Sequence, residues 1–238
     1  MKLGIIGAMD IEVMLLKEKM ENTSVRTIAG MEYCEGTLQG MPAVIVQCGV
    51  GKVNAALCVQ ALCDCFGVTH IINTGVAGSL CADLDIGDMV VSTDAVYHDF
   101  DCHVINSDYI VGQVPGMDVW MFPADEKLRY CAYCAAVTAH PGHCRLGIVA
   151  SGDQFVCDRA QKQKIVEDTG ALCTEMEGAA IAHAAWRNHV PCVVIRAISD
   201  KADDSAEMDY PTFEAIAAKT CSQVTQSLAK QMKEAEEI

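Results

Sequence analysis

Residues 192–200 read CVVIRAISD, an almost unbroken apolar run that ends in polar side chains. A run of this kind is typical of a β-strand that is buried on both faces of a sheet. The stretches IIG at 5–7 and AVIVQC at 43–48 have the same character. Because such strands need helices on both faces, these stretches predict an α/β fold with a parallel or mixed sheet.

Along the rest of the chain, short β-branched runs alternate with helical patterns. We predict strands at Lys2–Ile6, Ala43–Cys48, His70–Asn73, Asp88–Ser92, Leu146–Ala150 and Cys192–Ile198. We predict helices at Asp10–Met20, Lys52–Cys65, Ala124–Val137, Asp158–Glu167, Glu177–Asn188 and Pro211–Met232. Glycine-bounded segments around Gly30 and Gly40 favour a hairpin, and residues 96–123 predict a long ordered loop. With no linker or internal repeat, residues 1–238 are predicted to form a single domain.

The composition limits the class of partner. The formal net charge of -15 argues against nucleic acid, because phosphate backbones are bound by clusters of Lys and Arg. The N-terminal MKLGIIGAMDIEV lacks the long apolar segment and cleavage site of a signal peptide, and no stretch predicts a membrane-spanning helix. We therefore expect a cytoplasmic protein that contacts no membrane and keeps its 14 cysteines as free thiols.

Several predicted strands end in polar or glycine-rich turns, where open α/β sheets bind their ligands. The segment Gly75–Ser79 is predicted to be a turn whose backbone can approach a ligand closely. The sequence GVGK at 49–52 is similar to part of a phosphate-binding loop, but the full motif would need glycine at Val46 and Ser or Thr at Val53. We reject that reading.

Three acidic residues come directly after predicted strands or before a helix: Glu12, Glu177 and Asp200. Each alone is explained at least as well as a helix or turn cap, and for Asp200 capping is the commoner role. Together, at the ends of separate strands, they form a constellation that predicts a site.

Two groups of metal-binding residue types need an explanation. Cys131, Cys134, His140, His143 and Cys144 match no zinc spacing, and the first two fall within a helical pattern, so buried thiols and a surface loop explain them better. The polar residues between 98 and 103 are likewise read as a loop. No GxSxG motif predicts a serine nucleophile.

Eight motifs, in one order and almost from end to end, resemble 5'-methylthioadenosine/S-adenosylhomocysteine nucleosidases, within the wider purine nucleoside phosphorylase-like fold. They are GIIGAMDIEV, VGKVNAA, NTGVAG, YHDFD, GQVPG, ASGDQFV, EMEGAAIAH and VIRAISDKAD. The resemblance implies a three-layer α/β/α fold with a central mixed sheet. It also implies a cytoplasmic homodimer in methionine salvage that hydrolyses an N-glycosidic bond without cofactor or metal.

The resemblance also implies a role for each acid. Asp200 would protonate adenine at N7 as it leaves, and Ser199 would orient that carboxyl. Glu12 would position and deprotonate the attacking water. Glu177 would bind the ribose hydroxyls and stabilise the oxocarbenium-like ribosyl cation.

Further substrate contacts are implied around these acids. Phe155 would stack on adenine, the backbone of Val156 would read the base edge, and Met176 would touch the ribose. The full set of implied substrate-binding residues is Met9, Val50, Val76, Ala77, Gly78, Phe155, Val156, Glu175, Met176, Arg196, Ser199 and Tyr210. Arg196 and Glu175 are expected around the attacking water.

Two departures from the family concern the sugar and its 5' substituent. Val76 stands where the family often has Ser, and the loop 102–111 lacks the usual Phe, so that Ile105 or a neighbour would replace it. In the family this loop covers the partner subunit's 5' pocket. The preference among 5'-substituted adenosines is therefore open, and the substrate could also be aminodeoxyfutalosine or 5'-deoxyadenosine.

Two other classes of protein compete with this reading. A purine nucleoside phosphorylase would need cations for phosphate, whereas Glu12 would repel the anion and the first fifty residues contain a single arginine, Arg26. A non-catalytic nucleoside-binding protein would be expected to have lost one of the acids.

Overall fold

The computed structural model describes residues 1–236, and ten strands in it form one sheet. The predicted domain 1–238 thus extends two residues beyond the described part. The strands are β1 (Leu3–Gly7), β2 (Met20–Ile28), β3 (Met31–Leu38), β4 (Met41–Gln47), β5 (His70–Ser79), β6 (Met89–Tyr97), β7 (Phe122–Pro123), β8 (Cys144–Ser151), β9 (Cys173–Glu175) and β10 (Cys192–Asp200).

Six helices cover this sheet within residues 1–236. They are α1 (Asp10–Lys17), α2 (Lys52–Phe66), α3 (Glu126–Ala139), α4 (Arg159–Thr169), α5 (Gly178–Arg187) and α6 (Ala206–Glu236). None of the helices in this part of the chain is both long and apolar enough to cross a bilayer.

The sheet is mixed and partly closed. Its strand order is β10-β6-β8-β9-β5-β1-β4-β3-β2, with the short β7 paired to β6, and β10 also pairs with β5. Strand β1 is parallel to both β4 and β5, and β5 is parallel to β10, whereas β10 and β6 run antiparallel. The carboxyl ends of β1, β5 and β10 therefore lie at the same edge of the sheet.

Side chains on opposite faces of the strands enter different cores. Leu3 and Ile5 of β1 pack with the apolar faces of α1, α3 and α6, whereas Ile6 packs with α2 and α5. A third cluster joins Ile165 of α4 to the inner strands. The predicted three-layer α/β/α architecture with a central mixed sheet is confirmed.

The predicted turn at Gly75–Ser79 is wrong, because these residues form the second half of β5. Arg196, Ala197 and Ile198 of β10 pair with Gly75, Val76 and Ala77, which gives the glycine-rich backbone its hydrogen bonds. The partner strand, and not side-chain propensity, makes this segment extended.

Two more boundaries differ from prediction. Helix α1 ends at Lys17 and β2 begins at Met20, where the sequence predicted helix as far as that residue. Strand β2 was missed because it lies at the sheet edge with most side chains exposed, so it has no apolar alternation. Helix α6 begins at Ala206 and contains Pro211, which was predicted to start it.

The remaining predicted elements are confirmed within five residues of their bounds, the largest difference being the end of β6 at Tyr97 where Ser92 was predicted. The hairpin around Gly30 and Gly40 is a three-stranded antiparallel unit, β2-β3-β4. Residues 98–121 contain neither helix nor strand, as the long predicted loop requires.

Candidate active site

A cavity lies at the carboxyl ends of β1, β5 and β10 and encloses about 570 Å³ of empty space, its open mouth included. It is the place where a sheet of this kind is expected to bind a ligand. The residues that line it are Ala8, Met9, Glu12, Val50, Val76, Ala77, Gly78, Gln154, Phe155, Val156, Thr174, Glu175, Met176, Glu177, Ser199, Asp200 and Tyr210.

Glu12 enters the cavity from the first turn of α1. Its Oε2 accepts hydrogen bonds from the backbone N–H groups of Ala8 at 2.7 Å and Met9 at 3.0 Å. Its Oε1 accepts one from Val76 N–H at 3.0 Å. Burial raises the pKa of this carboxyl, although Arg196 and the backbone donors oppose the rise. The residue thus both caps its helix and faces the cavity.

Glu177 stands at the start of α5 and is almost fully buried. Its Oε1 accepts a hydrogen bond of 2.7 Å from Gly51 N–H. Burial and the neighbouring Glu175 charge raise the pKa of Glu177 to about 8, while the Gly51 N–H and Arg196 favour the ionised form. Burial and the charge of Glu175 thus favour the protonated form of this carboxyl, and the Gly51 N–H opposes them.

Asp200 ends β10 and forms the third carboxyl of the cavity. Its Oδ2 accepts from Ser199 Oγ at 2.9 Å, and its Oδ1 accepts from Ala202 N–H at 2.8 Å. Burial raises the pKa of Asp200 above its ordinary value, and the two hydrogen bonds limit the rise. A raised pKa helps a carboxyl to hold a proton as a general acid.

Glu175 and Arg196 form a buried ion pair beside the three acids. The Arg196 guanidinium also donates to Asn73, and Glu175 accepts from Ser151 Oγ and from Gly178 N–H at 2.8 Å. Burial alone would raise the pKa of Glu175, but the Arg196 charge and these hydrogen bonds hold it below its ordinary value. Glu175 therefore stays ionised next to Glu177.

Two aromatic side chains stand at the mouth of the cavity. The rings of Phe155 and Tyr210 meet edge to face, with centroids 5.5 Å apart. Phe155 is 46% exposed, so one face of its ring is free to stack on a flat ligand. The Tyr210 hydroxyl donates to Met9 Sδ at 3.1 Å, which joins α6 to the loop before α1.

The structure brings together all but one of the residues that the sequence analysis proposed as catalytic or substrate-binding. Arg196 lies behind the cavity wall, 2% exposed, and contacts Glu175 instead of the open space. The sequence analysis missed Ala8, Gln154 and Thr174, which also line the cavity. Ala8 and Gln154 lie within quoted motifs and Thr174 directly precedes one, and these positions were the available signal.

The cysteine and histidine groups lie elsewhere. Cys131 and Cys134 are on α3, and none of the residues considered for zinc lines the cavity. Within residues 1–236, no group of three or more His, Cys, Asp or Glu side chains is arranged to hold a metal ion.

A family model described as the phosphorylase superfamily matches residues 2–230 of the chain. A 5'-methylthioadenosine/S-adenosylhomocysteine nucleosidase of Halalkalibacterium halodurans is 41% identical over 213 residues, which are 89% of this chain and 90% of that protein. The nucleosidase of the same name from S. pneumoniae, solved with the transition-state inhibitor MT-ImmA, has a TM-score of 0.92 at 33% identity, covering 98% of this chain and 100% of that one. A futalosine hydrolase of Helicobacter pylori has a TM-score of 0.91 at 32% identity, covering 97% of both chains.

Proposed function

Because this chain belongs to the 5'-methylthioadenosine/S-adenosylhomocysteine nucleosidase family of the phosphorylase superfamily, we propose how its cavity performs the family's hydrolysis. The enzyme cleaves the N-glycosidic bond of 5'-methylthioadenosine and S-adenosylhomocysteine. The products are adenine and the corresponding thioribose.

One observation carries the assignment of roles. Three buried carboxyls, Glu12, Glu177 and Asp200, come from separate parts of the chain and line one cavity. The reaction needs carboxylates that flank the ribosyl cation and an acid that protonates the leaving group.

The proposed steps follow the positions of these groups. Asp200 gives its proton to N7 of the purine while the C1'–N9 bond breaks, so that adenine leaves as a neutral molecule. The Glu177 carboxylate binds the ribose hydroxyls and stabilises the positive charge on the sugar. Water attacks C1', and Glu12 accepts the proton that the water loses.

The charges at the cavity favour water over phosphate as the nucleophile. No Lys or Arg is among the described residues that line the cavity. Arg196 lies behind the wall and is already paired with Glu175. A phosphate ion would meet Glu12 and Glu177 without a cation to neutralise it.

The 5' end of the substrate remains the variable part of the proposal. The similarity to the futalosine hydrolase supports a second candidate substrate, aminodeoxyfutalosine. Release of adenine from aminodeoxyfutalosine at a higher kcat/KM than from methylthioadenosine would favour that candidate.

We further propose that the enzyme acts as a homodimer. Val53 and Leu57 of α2 are 71% and 50% exposed, and Val104 and Ile105 of the long loop are 88% and 81% exposed. Val53 and Leu57 lie one turn apart on the same face of α2, and Val104 adjoins Ile105, so a partner subunit that covers them would remove this apolar surface from water. Light scattering during gel filtration would test this, and a monomer at micromolar concentration would contradict it.

The cellular setting is also a proposal. The cysteines of the described chain are all free thiols, as in a reducing compartment, so we place the enzyme in the cytoplasm. Its thioribose product keeps the sulfur of methionine, which suits a role in methionine salvage.

The deciding experiment incubates purified protein with methylthioadenosine, with and without phosphate. Adenine release without phosphate is the expected result. A phosphorylated thioribose that forms only with phosphate would identify a phosphorylase, and nucleoside binding without turnover would identify a binding protein.

A further inference from the structure

A cluster of three charged side chains lies beside the cavity and does not line it: Lys52, Asp99 and Asp153. Lys52 Nζ is 2.7 Å from both carboxylate oxygens of Asp99 and 3.7 Å from Asp153 Oδ2. The side chains of Lys52 and Asp99 are only 23% and 14% exposed. Partial burial weakens solvent screening, so this pair differs from an ordinary surface ion pair.

The cluster connects three segments of the chain. Asp99 follows β6, and its Oδ2 accepts from Asp153 N–H at 2.9 Å. Asp153 follows β8, and its Oδ1 accepts from Lys52 N–H at 2.8 Å, at the start of α2. Two loops and one helix end are thereby held in a fixed relation by both side-chain and backbone atoms.

These three residues are linked to the proposed catalytic residue Glu177 through Gly51, the residue before Lys52. Gly51 N–H donates to Glu177 Oε1, and Gly51 has a φ of +99°, a conformation that residues with side chains rarely adopt. A Cβ at position 51 would also lie 3.2 Å from Asp153 Oδ1. The direction of the Gly51 N–H therefore depends on where Lys52 and Asp153 are held.

We propose that Lys52, Asp99 and Asp153 form a positioning cluster that keeps the Gly51 N–H directed at the Glu177 carboxylate. The inference rests on the proposed function of Glu177 as the charged partner of the ribose. The three residues act through Gly51 and need not touch the substrate.

The charges around Glu177 determine how a change in the positioning cluster would alter the pKa of Glu177. The titratable and charged groups that face it are Glu175, Glu12, Arg196 and the Cys48 thiol. The Gly51 hydrogen bond stabilises the ionised carboxylate, so its loss raises the pKa of Glu177. Activity that needs ionised Glu177 would then appear only at higher pH.

The test compares Lys52→Met and Asp99→Asn with the wild type by measuring kcat and KM for methylthioadenosine between pH 5.5 and 9. We expect each variant to lower kcat/KM by about tenfold near neutral pH and to move the acidic limb of the profile upward by about one pH unit. Lys52→Arg, which can still bind Asp99 with two hydrogen bonds, should restore most of the activity and the wild-type limb.

Two further measurements separate positioning from general damage. The double variant Lys52→Met, Asp99→Asn should be no worse than either single variant, because both remove the same contact. Lys230→Met breaks an exposed ion pair with Glu234 on α6, away from the site, and should leave the profile unchanged.

The outcomes are distinguishable. An unmoved acidic limb in both single variants would overturn the positioning cluster, whether kcat/KM stays at the wild-type value or falls equally at every pH. Asp99→Asn preserves shape, so it decides the question if Lys52→Met does not fold. A wild type that releases no adenine would overturn the proposed function itself.

Discussion

Asp200 Oδ1 accepts a hydrogen bond of 2.8 Å from the backbone N–H of Ala202, which adopts a left-handed conformation with a φ of +49°. Non-glycine residues seldom occupy this region, and the strain is tolerated where surrounding contacts require it. Here the turn fixes one oxygen of Asp200. The other oxygen, which contacts Ser199, is left to carry or give up a proton.

Asp200→Asn is expected to abolish adenine release while methylthioadenosine still binds. The amide can keep the Ala202 hydrogen bond and donate to Ser199 Oγ, so the local structure should be retained, but it has no proton to give to the purine. Turnover and calorimetric binding would be measured together. Adenine release at the wild-type rate would remove Asp200 from the mechanism.

Ser199→Ala should shift the alkaline limb of the kcat/KM profile to higher pH. Asp200 acts in its protonated form, so activity is present below its pKa and is lost as the pH rises through it. The Ser199 hydrogen bond lowers that pKa, and its removal must raise it. An alkaline limb that stays in place or moves downward would contradict this assignment.

Glu12→Gln should stop turnover and leave adenine affinity nearly intact, because the residue serves the water and not the base. Both carboxylate oxygens accept from backbone N–H groups, so the amide nitrogen must face a donor. We expect a loss of about 1–3 kcal/mol in the free energy of unfolding, measured by urea denaturation. Normal turnover in the folded variant would exclude Glu12 as the base.

Arg196→Met should lower the free energy of unfolding by about 3–5 kcal/mol, because it leaves the buried Glu175 carboxylate without its charge partner. Lys164→Met is the matched control, since it breaks an exposed pair with Asp168 on α4 and should not change stability measurably. If urea denaturation gave the two variants equal free energies of unfolding, the buried ion pair would contribute no more to stability than the exposed one.

The stability difference should also depend on pH. The pKa of Glu175 is depressed in the folded protein, so the stability that it contributes is present above its unfolded pKa. That contribution is lost as the pH falls through the folded value. The difference in the free energy of unfolding between wild type and Arg196→Met should therefore become smaller at acidic pH.

The sequence predicted the fold class and the family because both depend on local pattern. The run 192–200 is apolar for the reason that β10 is buried on both faces, and the structure places it between β5 and β6. The polar ends of the strands likewise indicated one edge of the sheet, and Glu12, Glu177 and Asp200 line the cavity there.

Features that depend on contacts between residues distant in the sequence could not be predicted in this way. The contact between Gly51 and Glu177 joins positions 126 residues apart, and the local sequence around either residue does not predict it. The extension of β5 through Gly75–Ser79 depends on pairing with β10. Arg196 was included in the substrate-binding set and expected around the attacking water, but strand alternation and its pairing with Glu175 place it behind the cavity wall.

The exposed edge strand β2 has a consequence for solubility. Among the described strands, the two-residue β7 and the nine-residue β2 each pair with one strand only, and β2 is the long edge where another chain could add to the sheet. An irregularity in its register between Glu21 and Ser24, with Asn22 at a φ of +53°, bends the strand there. Together with the charges of Glu21 and Arg26, this bend discourages the edge-to-edge growth by which β-proteins aggregate.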